Sequence, residues 1–290
     1  MAKSLGVIND YTITEIVDLE AYLLNSSMLD FRLEELQEMK IDGSQDTSEI
    51  TGRNGSVIGR KKKNKKLSGS GTNGLISSGL LKTQTGGELT NGLYNIKKAE
   101  VHTVKGATLM TDEQAVGTPG AEIGYLREYY FKGAFVATYE QATTADDTHF
   151  AYDPSTKIIT LPKKDDASVV IADGTKVVIA YERSYEATKV TDPSDKYSEK
   201  RELWLHCFGE DVCHNEYYIA VHIPVADFNG EFSFDFGGDQ TVHDFSFEAL
   251  PDLCAKSMGQ ATDLFDLFVY GKNAGENVSV AQIKDGDLHV

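Results

Sequence analysis

Glu202-Leu203-Trp204-Leu205-His206-Cys207-Phe208 alternates residue by residue. Leu203, Leu205 and Cys207 fall on one side of an extended chain, and Trp204, His206 and Phe208 on the other. A helix would scatter these side chains around its circumference, so the period of two selects a β-strand. The same period recurs in Glu231-Phe232-Ser233-Phe234-Asp235-Phe236. Further strands are expected over 99–104, 129–139, 157–161, 168–171, 176–181, 217–223, 241–248 and 264–270. Asp153-Pro154, Asp173-Gly174, Asn229-Gly230 and Gly237-Gly238 read as the turns between them. Short strands spaced by turn residues predict a mainly β chain, an antiparallel β-sandwich or partial barrel.

Upstream the pattern is less decisive. Residues 11–25 and 28–41 fit a short helix or strands equally well. Leu75, Ile76, Leu80 and Leu81, with Ser77 and Ser78, predict one short helix over 74–85, stopped by Gly86-Gly87. The sequence from Gly271 onward thins into polar residues and is expected to pack weakly.

The chain of 290 residues is 40% apolar, enough for a real core, and carries a net charge of −17. That balance disfavours the body as a clamp for nucleic acid, since phosphates would be repelled. The residues after Met1 do not read as a signal peptide, and no run approaches the roughly 20 apolar residues of a membrane helix. Three cysteines, Cys207, Cys213 and Cys254, lack framework spacing, which suggests a reduced, cytosolic origin.

Against this acidic background, Arg53, Arg60, Lys61, Lys62, Lys63, Lys65 and Lys66 stand together without an acid among them. Setting these seven aside leaves 21 basic residues against 45 acidic ones, a remainder of −24. One short segment therefore opposes the field of the rest of the molecule. Glycines and small polar residues surround it from Asp42 to Gly74, so a long projecting hairpin or loop is expected. Gly52, Gly55 and Gly59 would supply its backbone freedom. No aromatic lies between Phe31 and Tyr94 for base stacking, and no apolar anchor accompanies the lysines for membrane insertion. Attachment of the arm of one copy to the acidic body of another explains the segregation best.

Catalytic signatures are scarce, and no enzyme is expected. Three residues separate Gly55 from Gly59, where a phosphate-binding loop needs four. His206-Cys207 and Cys213-His214 hint at a metal, but strand alternation puts Cys207 on the apolar face, and no ligand knuckle is present. His222 and His243 each sit in a strand pattern, and Asp263 and Asp266 suit a cap or turn better than an acid–base pair. No catalytic, cofactor or metal residues are assigned.

Ile50 to Gly59, the lysine run to Lys66, and Ser68-Gly-Ser-Gly-Thr-Asn-Gly74 through Leu81 and Gln84-Thr-Gly86 resemble the arm and following helix of major tail tube proteins of tailed bacteriophages. Gly230 to Gln240, followed by His243 to Leu250, is similar to their closing β-hairpin. The region 106–190 carries no part of this resemblance and reads as an inserted or enlarged β unit within a single tail-tube-type domain spanning 1–290. The resemblance implies a virion protein of the tail, assembled in the host cytoplasm. It implies self-assembly into stacked rings, six subunits to a ring. The lumen would hold a tape-measure protein and then genomic DNA, and terminator or baseplate proteins would meet the ends. Membranes and cofactors have no part in it. The alternatives are a capsid or decoration protein, a carbohydrate-binding or hydrolytic β-sandwich, and a nucleic-acid-binding module.

Overall fold

A computed structural model describes residues 10–130, 134–234, 242–253 and 262–271. The fold is mainly β, with antiparallel sheets, one of them curled into a half-barrel, and one short named helix among the described residues. The chain divides into two compact units, Met1–Leu89 with Val190–Val290, and Thr90–Lys189. The second unit begins before residue 106.

In the first unit the ambiguous N-terminal segments are strands: β1 (Thr12–Leu23), β2 (Leu29–Leu33) and β3 (Leu36–Thr51). They are followed by β4 (Val57–Asn73) and α1 (Ser78–Thr85). The second unit is built on β5 (Glu88–Thr103), β6 (Thr108–Met110), β7 (Ile123–Tyr130), β8 (Ala134–Ala142), β9 (His149–Asp153), β10 (Ile158–Thr160) and β11 (Lys176–Thr191). The chain then returns through β12 (Lys200–Glu210), β13 (Glu216–Phe228), β14 (His243–Ala249) and β15 (Asp266–Gly271).

The first sheet has the order β2-β1-β12-β13-β14-β4-β3, with β15 also on β13. Its two end strands, β2 and β3, are joined by Glu34 and Glu35 alone. A sheet whose ends are neighbours in sequence must curl. Its inner face gathers Leu19, Phe31, Leu80, Leu203, Leu205, Cys207, Ile219, Phe228, Phe245 and Phe247. Cys207 lies in this core as the alternation predicts, and burial pushes its thiol up to about 11.

The run Ser68-Gly-Ser-Gly-Thr follows from the packing. Gly69 pairs with Phe247 and Gly71 with Phe245 across β4 and β14. A Cβ at Gly69 would enter the Phe247 ring, and one at Gly71 the Phe245 ring. The glycines thus make room for two buried rings, each worth about 1.5–3 kcal/mol of apolar burial. Ser68, Ser70 and Thr72 take the opposite face.

The helix α1 is short because both its ends are capped. The Ser77 side chain accepts the Leu80 N–H, and Gly86 leaves the helix at φ 65°. A latch to the sheet compensates for its length. Buried His243 accepts the Ser77 N–H at Nδ1 (3.3 Å) and donates from Nε2 to Gln84 (2.8 Å). The Gln84 amide in turn donates to the carbonyls of Glu231 and Asp244 at 3.1 and 3.0 Å. These bonds require neutral imidazole. Burial lowers the His243 pKa from 6.5 to about 4, against the opposing charge of Asp244.

An unfolded chain therefore takes this proton near pH 6.5, and the folded one only near pH 4, so acid favours unfolding. Stability on the order of 3 kcal/mol should be lost as pH falls through that window. Urea midpoints at about pH 7 and about pH 4.5, on either side of most of that window, check this. The drop should shrink in His243→Gln, and equal drops would rule the latch out.

The second unit has the sheet order β5-β11-β7-β8-β9-β10-β6 around Ile123, Leu126, Phe150, Ile159, Val177 and Ile179. The predicted single strand over 129–139 is instead part of two, β7 and β8. Tyr130 pairs with Ala134, so the chain reverses between them. Residues 168–171 make only the isolated bridge Lys163↔Val169, because the segment is a tight loop closed by Asp166 and Ser168. Within the expected strand over 231–236, Phe234 forms a single bridge to His243. Residues 235–241, Cys254 and residues 272–290 lie outside the described residues.

Candidate assembly surface

Of the two forms the sequence leaves open for the arm, the structure shows the hairpin. Strands β3 and β4 pair from Leu36↔Asn73 to Thr51↔Val57. Strand β14 covers β4 only at Leu67–Asn73. From Ser44 and Lys66 outward, a two-stranded ribbon continues for about 30 Å without a third strand among the described residues. The tip turns at residues 52–56, where the Gly52 N–H bonds the Ser56 carbonyl at 2.7 Å. Among the three arm glycines, only Gly55 has a positive φ, +76°.

Arg53, Arg60, Lys61, Lys62, Lys63, Lys65 and Lys66 are all exposed. Consecutive strand residues point to opposite faces, so Lys61 and Lys62 carry charge to both sides of the ribbon. Near Asn64 (φ 51°) the register shifts between Ser44 and Asp46, and Asn64 bonds Asp46 at 2.8 Å. The facing strand brings Asp46 and Glu49, so the ribbon's seven cations meet two acids, with Asp42 just inside its base. Glu49 pairs with Arg60 at 3.0 Å, while Asp42 pairs with Lys40. The charge segregation survives in reduced form.

Sequence reasoning missed two features. The register gathers Ile50, Val57 and Ile58 at the tip, with Ile58 69% exposed. The arm therefore has an apolar end as well as a basic shaft, a grouping that the scattered positions of these residues in the sequence do not show. The turn at 52–56 supplied the signal, since it folds Ile50 back beside Val57 and Ile58. The second feature is a smooth polar wall. Outward from the Phe245–Phe247 core, β14 presents Asp244, Ser246 and Glu248, and β4 presents Ser68, Ser70 and Thr72. Glu38, Lys40 and Asp42 extend it on β3.

Strand edges are open as well. Strand β2 pairs β1 only at Leu19–Tyr22, which leaves Thr12–Asp18 without a partner strand on that side among the described residues. Strand β15 pairs β13 at Tyr217–His222 and has no strand beyond it among the described residues. Its Leu267, Phe268 and Tyr270 are exposed.

The histidine–cysteine pairs do not converge, since Cys207 is in the core and Cys213 is exposed in the turn after β12. His222 bonds Glu202 at 2.9 Å and stacks on Trp204 with ring centroids 4.2 Å apart. Asp266 begins β15 and pairs with His222 at 3.4 Å.

The model of the YomU/Tube protein family matches residues 12–264. The match runs through the whole second unit, including the part that carries none of the arm and hairpin resemblance. No curated protein matches the chain.

Proposed function

The chain belongs to the YomU/Tube protein family, and from that premise we propose that it is the repeating subunit of a bacteriophage tail tube, a non-enzymatic virion protein. Copies join into rings, six to a ring, and the rings stack into a conduit for DNA. The observation that carries this reading is the basic, apolar-tipped ribbon, which runs on past the last strand that pairs with it. A contact between an arm and a different surface is heterologous and does not close on itself, so it propagates a filament.

Within a ring, the open edge of β15 and the Thr12–Asp18 edge of β1 suit strand addition between neighbours. The hydroxyl and carboxylate wall of β14, β4 and β3 faces the lumen in this arrangement. Carboxylates there give passing phosphates nothing to hold, which lets DNA slide. The tape-measure protein precedes DNA in that bore, and terminator or baseplate proteins cap its ends. Assembly in the host cytoplasm fits a chain in which no described helix is long and apolar enough to cross a membrane.

Electron microscopy of the purified protein at high concentration and low salt tests the reading. Tubes or stacked rings are expected. Monomers alone, or closed shells, would overturn it.

A further inference from the structure

Strand addition at the β1 edge uses backbone groups and leaves unused the side chains of Asp18, Glu20 and His206, three ligand-type groups on β1 and β12. The register sets Asp18 opposite His206 and Glu20 opposite Trp204. One ligand atom from each of the three lies within 4.8 Å of the other two. Asp18 is only 3% exposed. Its Oδ2 accepts both Nε and Nη2 of Arg32, but its solvent-shielded Oδ1 has no hydrogen-bond partner. A buried carboxylate oxygen left unmatched is costly, and a cation would satisfy it.

We propose that Asp18, Glu20 and His206 bind a divalent transition-metal cation of the zinc type. Two carboxylate oxygens and one imidazole nitrogen suit such an ion, whereas magnesium and calcium favour all-oxygen sites. His206 Nε2 already lies 3.7 Å from Glu20 Oε2. The Tyr22 hydroxyl donates to that carboxylate at 2.6 Å, and the Trp204 ring lies nearly parallel to the His206 imidazole, so both ligands are oriented from outside. Electrostatics point the same way. Arg32 serves the carboxylates of Asp18, Glu20 and Glu34 together, so one cation faces three anions. A dication balances the remainder and ties β1 to β12, with water completing its coordination.

The cluster of Glu100, His102 and Asp112 makes an instructive contrast. Both Glu100 oxygens are already engaged, by the Tyr181 hydroxyl on one side and by His102 and the Asp112 N–H on the other. No unmatched oxygen calls for a metal there.

The test uses the full chain, stripped with a chelator and titrated with Zn²⁺ by calorimetry and with Co²⁺ by visible absorption. One saturable equivalent per chain is expected. Binding should weaken by about ten-fold or more in His206→Ala and in Glu20→Gln, and should hold in His222→Ala and His102→Ala. Circular dichroism of each variant confirms the fold, and Glu20→Gln preserves side-chain volume if His206→Ala fails to fold. Absence of saturable binding, or equal affinity in His206→Ala or Glu20→Gln, would overturn the site.

Discussion

Asp30→Ala is expected to destabilise the first unit by about 3–5 kcal/mol, the usual result of removing one partner from a buried ion cluster. Asp30 on β2 accepts Lys82 Nζ at 2.9 Å and Arg201 Nε at 2.8 Å, with the Thr83 hydroxyl at 3.4 Å. Its carboxylate thereby ties β2 to both α1 and β12. Burial alone would raise its pKa, but the bonds from Lys82 and Arg201 outweigh burial and hold it below the usual carboxylate value. The contribution is therefore complete at neutral pH and vanishes as acid protonates the folded carboxyl. Alanine would leave the Arg201 guanidinium, only 5% exposed, with Glu199 as its remaining anion. Trp204, the single tryptophan, lies in the same sheet and reports unfolding by fluorescence. The urea midpoint should fall steeply in Asp30→Ala and by less in Asp30→Asn, which keeps one acceptor. An unchanged midpoint would show that the cluster carries no net stability.

That cluster was invisible in the sequence, for the same reason that much else was legible. Strand identity is local: the alternation of Leu203, Leu205 and Cys207 survives intact as the core face of β12. The helix ends were also local, carried by Ser77 and Gly86. The spacing of Gly69 and Gly71 marked the family resemblance, but its cause lay in Phe245 and Phe247, far along the chain. Asp30, Lys82 and Arg201 meet only because a curled sheet brings them together. Asp18 and His206 likewise become neighbours through register, which spacing within either strand does not reveal. Residues 11–25 were ambiguous because bulges interrupt β1 between Ile13 and Glu15 and between Ile16 and Asp18. The arm was legible as a charge anomaly, whereas its apolar tip needed the turn at 52–56 to be seen.

Reversing Lys61, Lys62 and Lys63 to glutamate together should abolish tube formation while the body stays folded. All three are exposed, and β4 carries them where it pairs only with β3. Their register partners are Ser48, Thr47 and Asp46, so a glutamate in place of Lys63 would face Asp46 and weaken the ribbon locally. A Lys→Gln triple variant separates that strain from docking, because it removes attraction without adding repulsion. Breaking a desolvated charge contact costs about 2–5 kcal/mol. Even one such contact per subunit raises the concentration needed for assembly by about thirty-fold or more. Sedimentation at low salt should therefore place the glutamate variant in the monomer fraction and the glutamine variant between it and the parent. Added salt should weaken the parent toward the glutamine variant, since exposed charges are screened within about 10 Å at roughly 0.1 M. Ile58→Ser probes the apolar tip independently, and its defect should be insensitive to salt. Tubes forming from the glutamate variant at the parent's concentration would mean that the ribbon's lysines are merely solvated and that the rings are joined elsewhere.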